Sequence, residues 1–249
     1  MNGFKKSSRS ISALFAVAVV LLLSNCNLEH QATTDVHTPE SALQRLEDGN
    51  RRFLVGQTKH PHQTKQRILE TQNGQHPFAV VVTCSDSRVS PEIIFDEGLG
   101  DLFVIRTAGN LMSDLELGSI EYAVEHLGAT LVVVLGHTEC GAVKAFVEGG
   151  EACGHIKDIV DALADEQEEQ QVLRLEGKNL QACIEGNILH GVKQLEQDEP
   201  VLAGKIRQNK LAVVPMIYDV HDGKVTKLNR DELQLKLNPA SASDDVNPE

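Results

Sequence analysis

Three short runs of apolar residues, rich in β-branched side chains, set the strongest limit on how this chain can fold. They occupy residues 78–83, 102–106 and 131–135. Continuous apolar runs of this length are typical of strands that are buried on both faces of a parallel sheet. A helical pattern at 115–127 separates the second run from the third, and another helix is expected to begin at Gly141. This alternation predicts an α/β fold with a mostly parallel central β-sheet flanked by helices.

The remaining sequence predicts more elements of the same kind. Thr38 and Pro39 have the residue types of a helix N-cap and a first helical position, so a helix should begin there. Asp222 and Gly223 form a hairpin signal that predicts a short return strand at 224–228. Three further helices and one strand are predicted at 63–72, 155–164, 179–195 and 210–218, respectively.

Residues suited to metal binding follow two of the apolar runs. Cys84 comes directly after the first run, and His137 and Cys140 follow the third. Because open α/β sheets bind their ligands at the carboxyl ends of their strands, these three side chains should lie close together. Thiolate and imidazole groups are the ligands that zinc prefers. The sequence therefore predicts a zinc site made of two cysteines and one histidine.

Asp86 and Arg88 lie beside the first of these cysteines and leave two interpretations of the fourth zinc position. Asp86 can bind the metal as a fourth ligand, or Arg88 can hold it away through two parallel hydrogen bonds. A structural zinc site usually has four protein ligands, whereas a catalytic site has three and a place for water. Asp86 is therefore predicted to be the movable part of the site.

The motifs C-x-D-x-R, which begins at Cys84, and H-x-x-C, which begins at His137, resemble those of the β-class carbonic anhydrases, in particular the plant-type branch. The resemblance continues through 89–95, 100–106 and 118–124 and covers about residues 38–228. It implies a single β-carbonic anhydrase domain, which we place at residues 38–230.

This resemblance implies reversible hydration of carbon dioxide to bicarbonate and a proton, with one Zn²⁺ in each subunit. Zinc lowers the pKa of water towards about 7, as it does in carbonic anhydrases that use three histidines, and so supplies hydroxide at neutral pH. Asp86 would accept a hydrogen bond from that hydroxide and orient it, while Arg88 keeps the carboxylate ionised. Asp86 and Arg88 are thus the predicted catalytic pair, and the predicted metal ligands are Cys84, His137 and Cys140.

Three further positions match substrate-binding residues of the plant-type branch. Gln75 fits a glutamine that donates a hydrogen bond to a substrate oxygen, and Phe103 and Tyr122 fit an aromatic pair that lines the carbon dioxide pocket. In that family these residues reach, in part, the metal of the neighbouring subunit. The resemblance therefore implies a homodimer or a larger homo-oligomer.

Some bacterial relatives bind bicarbonate at a second, non-catalytic pocket made by a tryptophan, an arginine and a tyrosine, and this pulls the aspartate onto the zinc. Arg106 and Tyr218 match two of these positions, but the chain has no tryptophan, and Val81 occupies the third position. We therefore expect Asp86 to stay with its arginine when bicarbonate is present.

Two other functions fit the same residues. A zinc site closed permanently by Asp86 would belong to a binding or scaffold protein that performs no chemistry. The same scaffold could instead serve a carbon disulfide or carbonyl sulfide hydrolase, in which access to the pocket differs while the metal ligands are the same. A carbon dioxide hydration assay separates the first of these from a carbonic anhydrase.

Both ends of the chain differ from the predicted domain. Residues 1–25 combine three early cations with an apolar stretch at 11–23, which is too short to span a membrane but suits a signal peptide. Cys26 ends a lipobox-like sequence, so we expect an exported protein of the periplasm or cell envelope, with a lipid on Cys26 and a tether at 26–37. Residues 238–249 are rich in Ser, Asp, Pro and Asn and are predicted to be a disordered tail.

The chain is acidic, with 36 Asp and Glu residues against 23 Lys and Arg residues and a formal net charge of -13. A surface that binds nucleic acid needs clustered Lys and Arg, which the sequence lacks, so nucleic acid is excluded as a partner. The acidic run at 165–169 is predicted to be a solvated helix face. Cys153 and Cys183 can either form a disulfide or remain as buried free thiols.

Overall fold

The computed structural model of the protein describes residues 37–237. The predicted signal peptide at 1–25, the lipidation site Cys26, nearly all of the tether and the tail at 238–249 lie outside the described residues. Within 37–237, none of the helices combines the length and the hydropathy needed to cross a membrane.

A five-stranded sheet forms the centre of the fold. The strands are β1 (Ala79–Cys84), β2 (Leu102–Thr107), β3 (Leu131–His137), β4 (Ala212–Tyr218) and β5 (Val225–Lys227). Their spatial order is β2-β1-β3-β4-β5, in which the first four are mutually parallel and β5 is antiparallel to β4. The predicted α/β class with a mostly parallel sheet is confirmed, and so is the hairpin that leads into β5.

Helices cover both faces of this sheet. In the part of the chain that the structure describes they are α1 (Pro39–Leu54), α2 (Lys65–Thr71), α3 (Pro91–Ile94), α4 (Asp114–His126), α5 (Gly141–Glu148), α6 (Ile156–Asp165), α7 (Gln167–Glu176), α8 (Leu180–Gln197), α9 (Leu202–Arg207) and α10 (Arg230–Leu237). A short 3-10 turn (Ala108–Asn110) follows β2. The sequence patterns did not predict α3, α9 or α10, and of α7 they predicted only the first residues as part of a helix face. Helix α10 extends the packed core beyond the predicted domain end at 230.

The apolar strand residues divide between two cores because successive side chains of a strand point to opposite faces. Val80 and Val134 belong to the core that contains α8, whereas Val81 and Val133 belong to the core that contains Leu46 of α1. All four valines are completely inaccessible to solvent. Burial of each such side chain stabilises the fold by about 1.5–3 kcal/mol, so β1 and β3 anchor the molecule.

Helix α1 begins where the sequence predicts. The Thr38 hydroxyl accepts a hydrogen bond from the backbone N–H of Ser41 at 3.2 Å, and Pro39 occupies the first helical turn. The helix packs so closely on the segment after α3 that a Cβ added at Gly49 would lie 1.8 Å from the carbonyl oxygen of Phe95. Helix α1 is therefore fixed by backbone contact as well as by apolar side chains.

The prediction that 165–169 form a solvated helix face is wrong. Glu166, Glu168 and Glu169 are all buried, because α7 packs along α8 and turns these side chains into the fold. Nδ1 of His190 lies 2.8 Å from the Glu168 carboxylate, which therefore has a partner inside the protein. Composition alone indicated solvent exposure, and helix packing overrides it.

The two remaining cysteines are not joined. Cys153 is exposed and Cys183 is buried in the core, and both are free thiols. The Cys183 thiol contacts the buried carboxyl group of Glu169. The free-thiol alternative therefore holds, although only one of the two thiols is buried.

Candidate metal centre

The predicted metal ligands come together at the carboxyl edge of the sheet. Cys84 ends β1 and His137 ends β3, and these strands are direct neighbours in the sheet. Cys140 caps the N-terminus of α5, three residues further along the chain. The ligand atoms of all three side chains lie within 4.8 Å of one another, and all three residues are buried. Parallel pairing of two strands thus explains why residues 53 positions apart meet.

His137 is oriented for metal binding by its own backbone. Its Nδ1 lies 2.8 Å from the carbonyl oxygen of Thr138, which can only accept, so Nδ1 carries the proton and Nε2 carries the lone pair. Nε2 is buried and has no hydrogen-bond partner among residues 37–237. Buried polar atoms in proteins are nearly always partnered. A lone pair that faces two sulfurs fits a metal ion.

The two thiols are also arranged for a shared cation. The pKa of Cys84 is lowered, first by a hydrogen bond with Cys140 and then, against the effect of burial, by the backbone N–H groups of Asp86 and Gly109. The pKa of Cys140 is raised, first because it shares that hydrogen bond with Cys84 and then because it is buried. One proton is thus held between the two sulfurs, where a cation bound by both thiolates would replace it. The donor set of two sulfurs and one imidazole nitrogen fits zinc.

Asp86 is held by Arg88 and lies outside the cluster of ligand atoms. Arg88 donates from Nε to Oδ1 at 2.9 Å and from Nη2 to Oδ2 at 2.7 Å, and its backbone N–H donates to Oδ1 at 2.9 Å. The pKa of Asp86 therefore lies far below its usual range, mainly because of the side-chain hydrogen bond from Arg88. Nη2 of Arg88 also reaches the carbonyl oxygen of Glu139 at 3.4 Å, which links the pair to the loop between the second and third ligands. Of the two sequence alternatives, the structure has the aspartate bound to its arginine.

The residues of the second bicarbonate pocket of some relatives occupy different environments here. Arg106 donates to the carbonyl oxygens of Cys84 at 3.2 Å and of Asp86 at 2.7 Å, so it braces the first ligand segment from β2. Val81 is completely buried in the core on the α1 side of the sheet. Tyr218 is 7% exposed and pairs in register with His137 on the neighbouring strand.

The three predicted substrate-binding residues are not gathered at the metal cluster by the single chain. Gln75 is exposed before β1, Phe103 is half-buried on β2, and Tyr122 on α4 is 48% exposed. No hydrogen bond or ring contact within 37–237 joins them to the metal ligands. The Tyr122 ring instead contacts the His126 ring at a tilted angle, with ring centroids 5.3 Å apart. Their predicted role therefore depends on a second subunit and stays a prediction.

Sequence patterns missed two residues next to the first ligand. The backbone N–H of Gly109 donates to Sγ of Cys84 at 3.4 Å. Nδ2 of Asn187 in turn donates to the carbonyl oxygen of Gly109 at 2.8 Å. A polar residue on the otherwise apolar face of the helix predicted at 179–195 was the one available signal for Asn187.

Two neighbouring strands of this parallel α/β fold lead into a buried Cys-His-Cys cluster, and an arginine-bound aspartate lies beside it. This combination of fold and site defines a class of zinc-binding proteins. A family model described as carbonic anhydrase matches residues 79–225, which include the whole cluster. Among curated proteins, the chain is 41% identical over 194 residues to a carbonic anhydrase of Mycolicibacterium smegmatis, covering 75% of this chain and 92% of that protein. It is 39% identical over 193 residues to carbonic anhydrase 2 of Mycobacterium tuberculosis, covering 75% and 91%.

Solved structures show the same likeness. The β-carbonic anhydrase CcaA matches with a TM-score of 0.61 and 28% identity over 75% of this chain and 95% of that one. The β-carbonic anhydrase CafA of Aspergillus fumigatus matches with a TM-score of 0.60 and 29% identity over 84% and 99%. The chain belongs to the carbonic anhydrase family, and its fold is that of the β class.

Proposed function

We propose that this chain is a zinc-dependent carbonic anhydrase, which catalyses the reversible hydration of carbon dioxide to bicarbonate and a proton. The observation that carries the proposal is the buried cluster of Cys84, His137 and Cys140, with Asp86 held beside it by Arg88. Membership of the carbonic anhydrase family supports the same conclusion. The cluster provides the metal site that the reaction needs, and the neighbouring carboxylate of Asp86 provides a hydrogen-bond acceptor for the attacking oxygen.

Three side chains would hold the zinc: the thiolates of Cys84 and Cys140 and the Nε2 atom of His137. When bound, zinc supplies the Lewis acidity that lowers the pKa of water towards about 7. The carbonyl oxygen of Thr138 keeps the imidazole in the tautomer that presents Nε2 to the site. With three protein ligands, a bound zinc ion would keep a coordination position for water, as a catalytic zinc site requires.

Asp86 orients the attacking oxygen. Arg88 binds both carboxylate oxygens, so the group is ionised at neutral pH and its plane is fixed. A carboxylate has about four lone-pair sites, and those not used by Arg88 can accept a hydrogen bond. A water or hydroxide that donates a hydrogen bond to Asp86 would be oriented so that the lone pair of its oxygen faces the carbon of carbon dioxide.

Replacement of Asp86 tests this role. The Asp86→Asn variant keeps the size of the side chain but removes the charge, so we expect kcat/KM for carbon dioxide hydration to fall by about 10²-fold or more. Zinc content, measured by elemental analysis, should stay at the wild-type value because Asp86 is not a ligand. Asp161→Asn on the exposed face of α6 is the matched control and should keep wild-type kcat/KM. Wild-type turnover in Asp86→Asn would refute the role.

We place the chain in the plant-type branch, with Gln75, Phe103 and Tyr122 completing the pocket of a neighbouring subunit in a homodimer or larger oligomer. The exposure of Tyr122 supports a role outside its own chain. Ile68, Leu69 and Leu115 are apolar residues that are 56–80% exposed, and they are therefore available to pack against a second subunit. A related β-carbonic anhydrase of Sordaria macrospora, 27% identical with a TM-score of 0.59, is described as tetrameric.

A mixing experiment tests whether the pocket is shared between subunits. Tyr122→Ala and Cys140→Ser chains should each be nearly inactive alone, the first for lack of its pocket residue and the second for lack of zinc. After the two are refolded together, a mixed dimer contains one zinc site lined by an intact tyrosine, and activity should return. Mixed dimers that form but stay inactive would rule out a shared pocket, and light scattering checks that they form.

We further propose that bicarbonate does not shut the enzyme down. Arg106 is already used by two carbonyl oxygens, and Val81 offers no hydrogen-bond donor, so a bicarbonate ion there would leave polar groups unmatched at a cost of about 1–3 kcal/mol. Activity near neutral pH should therefore fall with bicarbonate only as simple product inhibition. A cooperative loss of activity, or Asp86 bound to zinc in a crystal grown with bicarbonate, would contradict this.

We also propose that the protein is exported and carries a lipid on Cys26, so that it works in the periplasm or cell envelope. The cations and apolar stretch of residues 1–25 and the lipobox-like sequence before Cys26 support this. Mass spectrometry of the mature protein should find a lipid-modified Cys26 as the first residue. An unmodified N-terminus or cleavage elsewhere would refute the anchor and leave the catalytic proposal unaffected.

A further inference from the structure

Helix α8 buries a polar side chain in the apolar face that packs on the sheet. Asn187 is 2% exposed, and its neighbours Ile184, Ile188 and Leu189 are 0–2% exposed. Burying an amide in apolar surroundings is costly unless its groups are hydrogen-bonded. An apolar residue of similar size would pack as well at this position, so the amide requires a specific explanation.

The Asn187 amide holds the 3-10 turn that follows β2. Its Nδ2 donates to the carbonyl oxygen of Gly109 at 2.8 Å, and its Oδ1 lies 3.5 Å from Nδ2 of Asn110. These contacts cross 78 and 77 positions of the sequence and are buried. The turn is thereby fixed by helix α8.

The same turn contacts the first metal ligand. The backbone N–H of Gly109 donates to Sγ of Cys84 at 3.4 Å. Gly109 has φ 69° and ψ 18°, a left-handed conformation in which its N–H faces the sulfur while its carbonyl faces the helix. A Cβ at this position would also lie 3.2 Å from the Cβ of Ala142. The backbone conformation therefore favours glycine, and the space for a side chain is tight.

We propose that Asn187 is a positioning residue for the metal centre, which acts by holding the Gly109 amide against the sulfur of Cys84. A hydrogen bond to a ligating thiolate stabilises its negative charge and fixes the direction of its lone pairs. Partners one step behind the ligands, as the Gly109 amide is here, typically change metal affinity about 10-fold to 100-fold when they are removed, and Asn187 acts by holding that amide in place. The inference rests on the proposed zinc site and adds a residue that touches neither metal nor substrate.

Two variants of Asn187 test the proposal. Asn187→Ala removes the amide, and Asn187→Asp keeps its shape but replaces the donor with a carboxylate that repels the Gly109 carbonyl. We expect zinc to bind about 10-fold to 100-fold more weakly in both, measured by competition with a chromophoric chelator at fixed pH. The matched control is Leu195→Ala, a fully buried residue two turns further along α8, which lowers stability without removing the contact to the turn.

A spectroscopic measurement separates positioning from general stability. In protein loaded with cobalt(II) in place of zinc, the sulfur-to-cobalt charge-transfer band should move to longer wavelength in both Asn187 variants, because a thiolate without its hydrogen bond is easier to oxidise. Leu195→Ala should keep the wild-type band and bind zinc within about 2-fold of the wild type.

The outcomes are distinct. An Asn187 variant that folds, binds zinc as tightly as wild type and has an unshifted cobalt band would overturn the proposal. So would equal weakening in Leu195→Ala, since the effect would then be one of stability. A wild-type chain that retains no zinc would instead overturn the proposed function itself, and this inference with it.

Discussion

Two buried glutamates in α7 and at its N-cap predict that the protein loses stability as the pH rises. Glu166 is 5% exposed and Glu169 is 0% exposed, and Oε2 of the first and both carboxyl oxygens of the second lack hydrogen-bond partners within the described residues. Burial raises the pKa of each carboxyl group from 4.5 to about 8. For Glu166 a smaller opposing effect comes from His190, and for Glu169 from Cys183.

The direction of the effect follows from proton binding. Between about pH 4.5 and pH 8, the folded protein keeps both carboxyl groups protonated while the unfolded chain ionises them, so each unit of pH favours the unfolded state. The loss is complete above about pH 8. His190 adds to the same trend. Burial lowers its pKa, but the hydrogen bond with Glu168 outweighs burial, so the pKa of His190 is raised. Its contribution to stability is present below pH 6.5 and is lost as the pH rises through its folded pKa.

The neighbouring Glu168 does not interfere in this range. Burial opposes its ionisation, but hydrogen bonds from His190 and Lys193 outweigh burial and bring its pKa down to about 2. Its contribution to stability is therefore complete above about pH 4.5 and is lost only as the pH falls from there towards 2. In the pH range from 5 to 8 the loss of stability therefore comes from Glu166, Glu169 and His190, and Glu168 does not contribute.

The size of the effect can be bounded from the two pKa values. A shift from 4.5 to about 8 corresponds to about 5 kcal/mol for each glutamate, at about 1.36 kcal/mol per pKa unit. Local rearrangement and water entry reduce such penalties, so we expect each side chain to cost about 1–3 kcal/mol between pH 5 and pH 8. A domain of this kind has about 5–15 kcal/mol of total stability, so the change is large enough to measure.

Urea unfolding at pH 5, 6.5 and 8, with zinc at a fixed saturating concentration, measures the effect. Glu166→Gln and Glu169→Gln should each flatten the dependence of the unfolding free energy on pH, because an amide does not titrate. The exposed Glu151→Gln variant is the control and should keep the wild-type slope. If both buried variants retain the wild-type slope, the two carboxyl groups do not titrate in this range and the burial argument fails.

Smaller changes test other parts of the structure. Gly49→Ala places a methyl group 1.8 Å from the carbonyl oxygen that follows α3, so urea unfolding should show a loss of more than about 3 kcal/mol. Gly204→Ala has only a flexible side chain nearby and should change the unfolding free energy by no more than about 1 kcal/mol. Equal effects of the two variants would contradict the close packing at Gly49. Thr38→Ala should cost about 0.5–2 kcal/mol by removing the cap of α1, and an unchanged midpoint would show that the cap contributes nothing. Arg88→Lys keeps the charge but loses the two-point contact with Asp86, so kcat/KM should fall about 10-fold at full zinc occupancy; undiminished turnover would speak against orientation by Arg88.

The central strands, and the site residues that lie at their carboxyl ends, were predictable from the sequence. The apolar runs give β1, β2 and β3, and parallel pairing then brings Cys84 and His137 to one edge. Local patterns carry this information because a strand buried on both faces tolerates few polar residues. The pairing of Asp86 with Arg88 was one of two alternatives, and their spacing could not decide between them.

The parts that depend on packing between distant helices were not predictable. Glu166 and Glu169 sit in a run that looks solvated, and only the packing of α7 on α8 buries them. Asn187 is one polar residue in an apolar helix face, and nothing local says which turn it contacts. The predicted roles of Gln75 and Tyr122 depend on a second chain and lie beyond both the local pattern and the single-chain fold.

Zinc content and carbon dioxide hydration, measured together on the same purified samples, test the central claim most directly. Wild-type protein should hold one zinc per chain and hydrate carbon dioxide in a stopped-flow assay at alkaline pH. Cys140→Ser should lose both zinc and activity, because two remaining ligands do not retain the metal, while Cys153→Ser, an exposed thiol away from the cluster, should keep both. Full zinc occupancy without hydration in the wild type, or undiminished hydration in Cys140→Ser, would contradict a carbonic anhydrase built on this cluster.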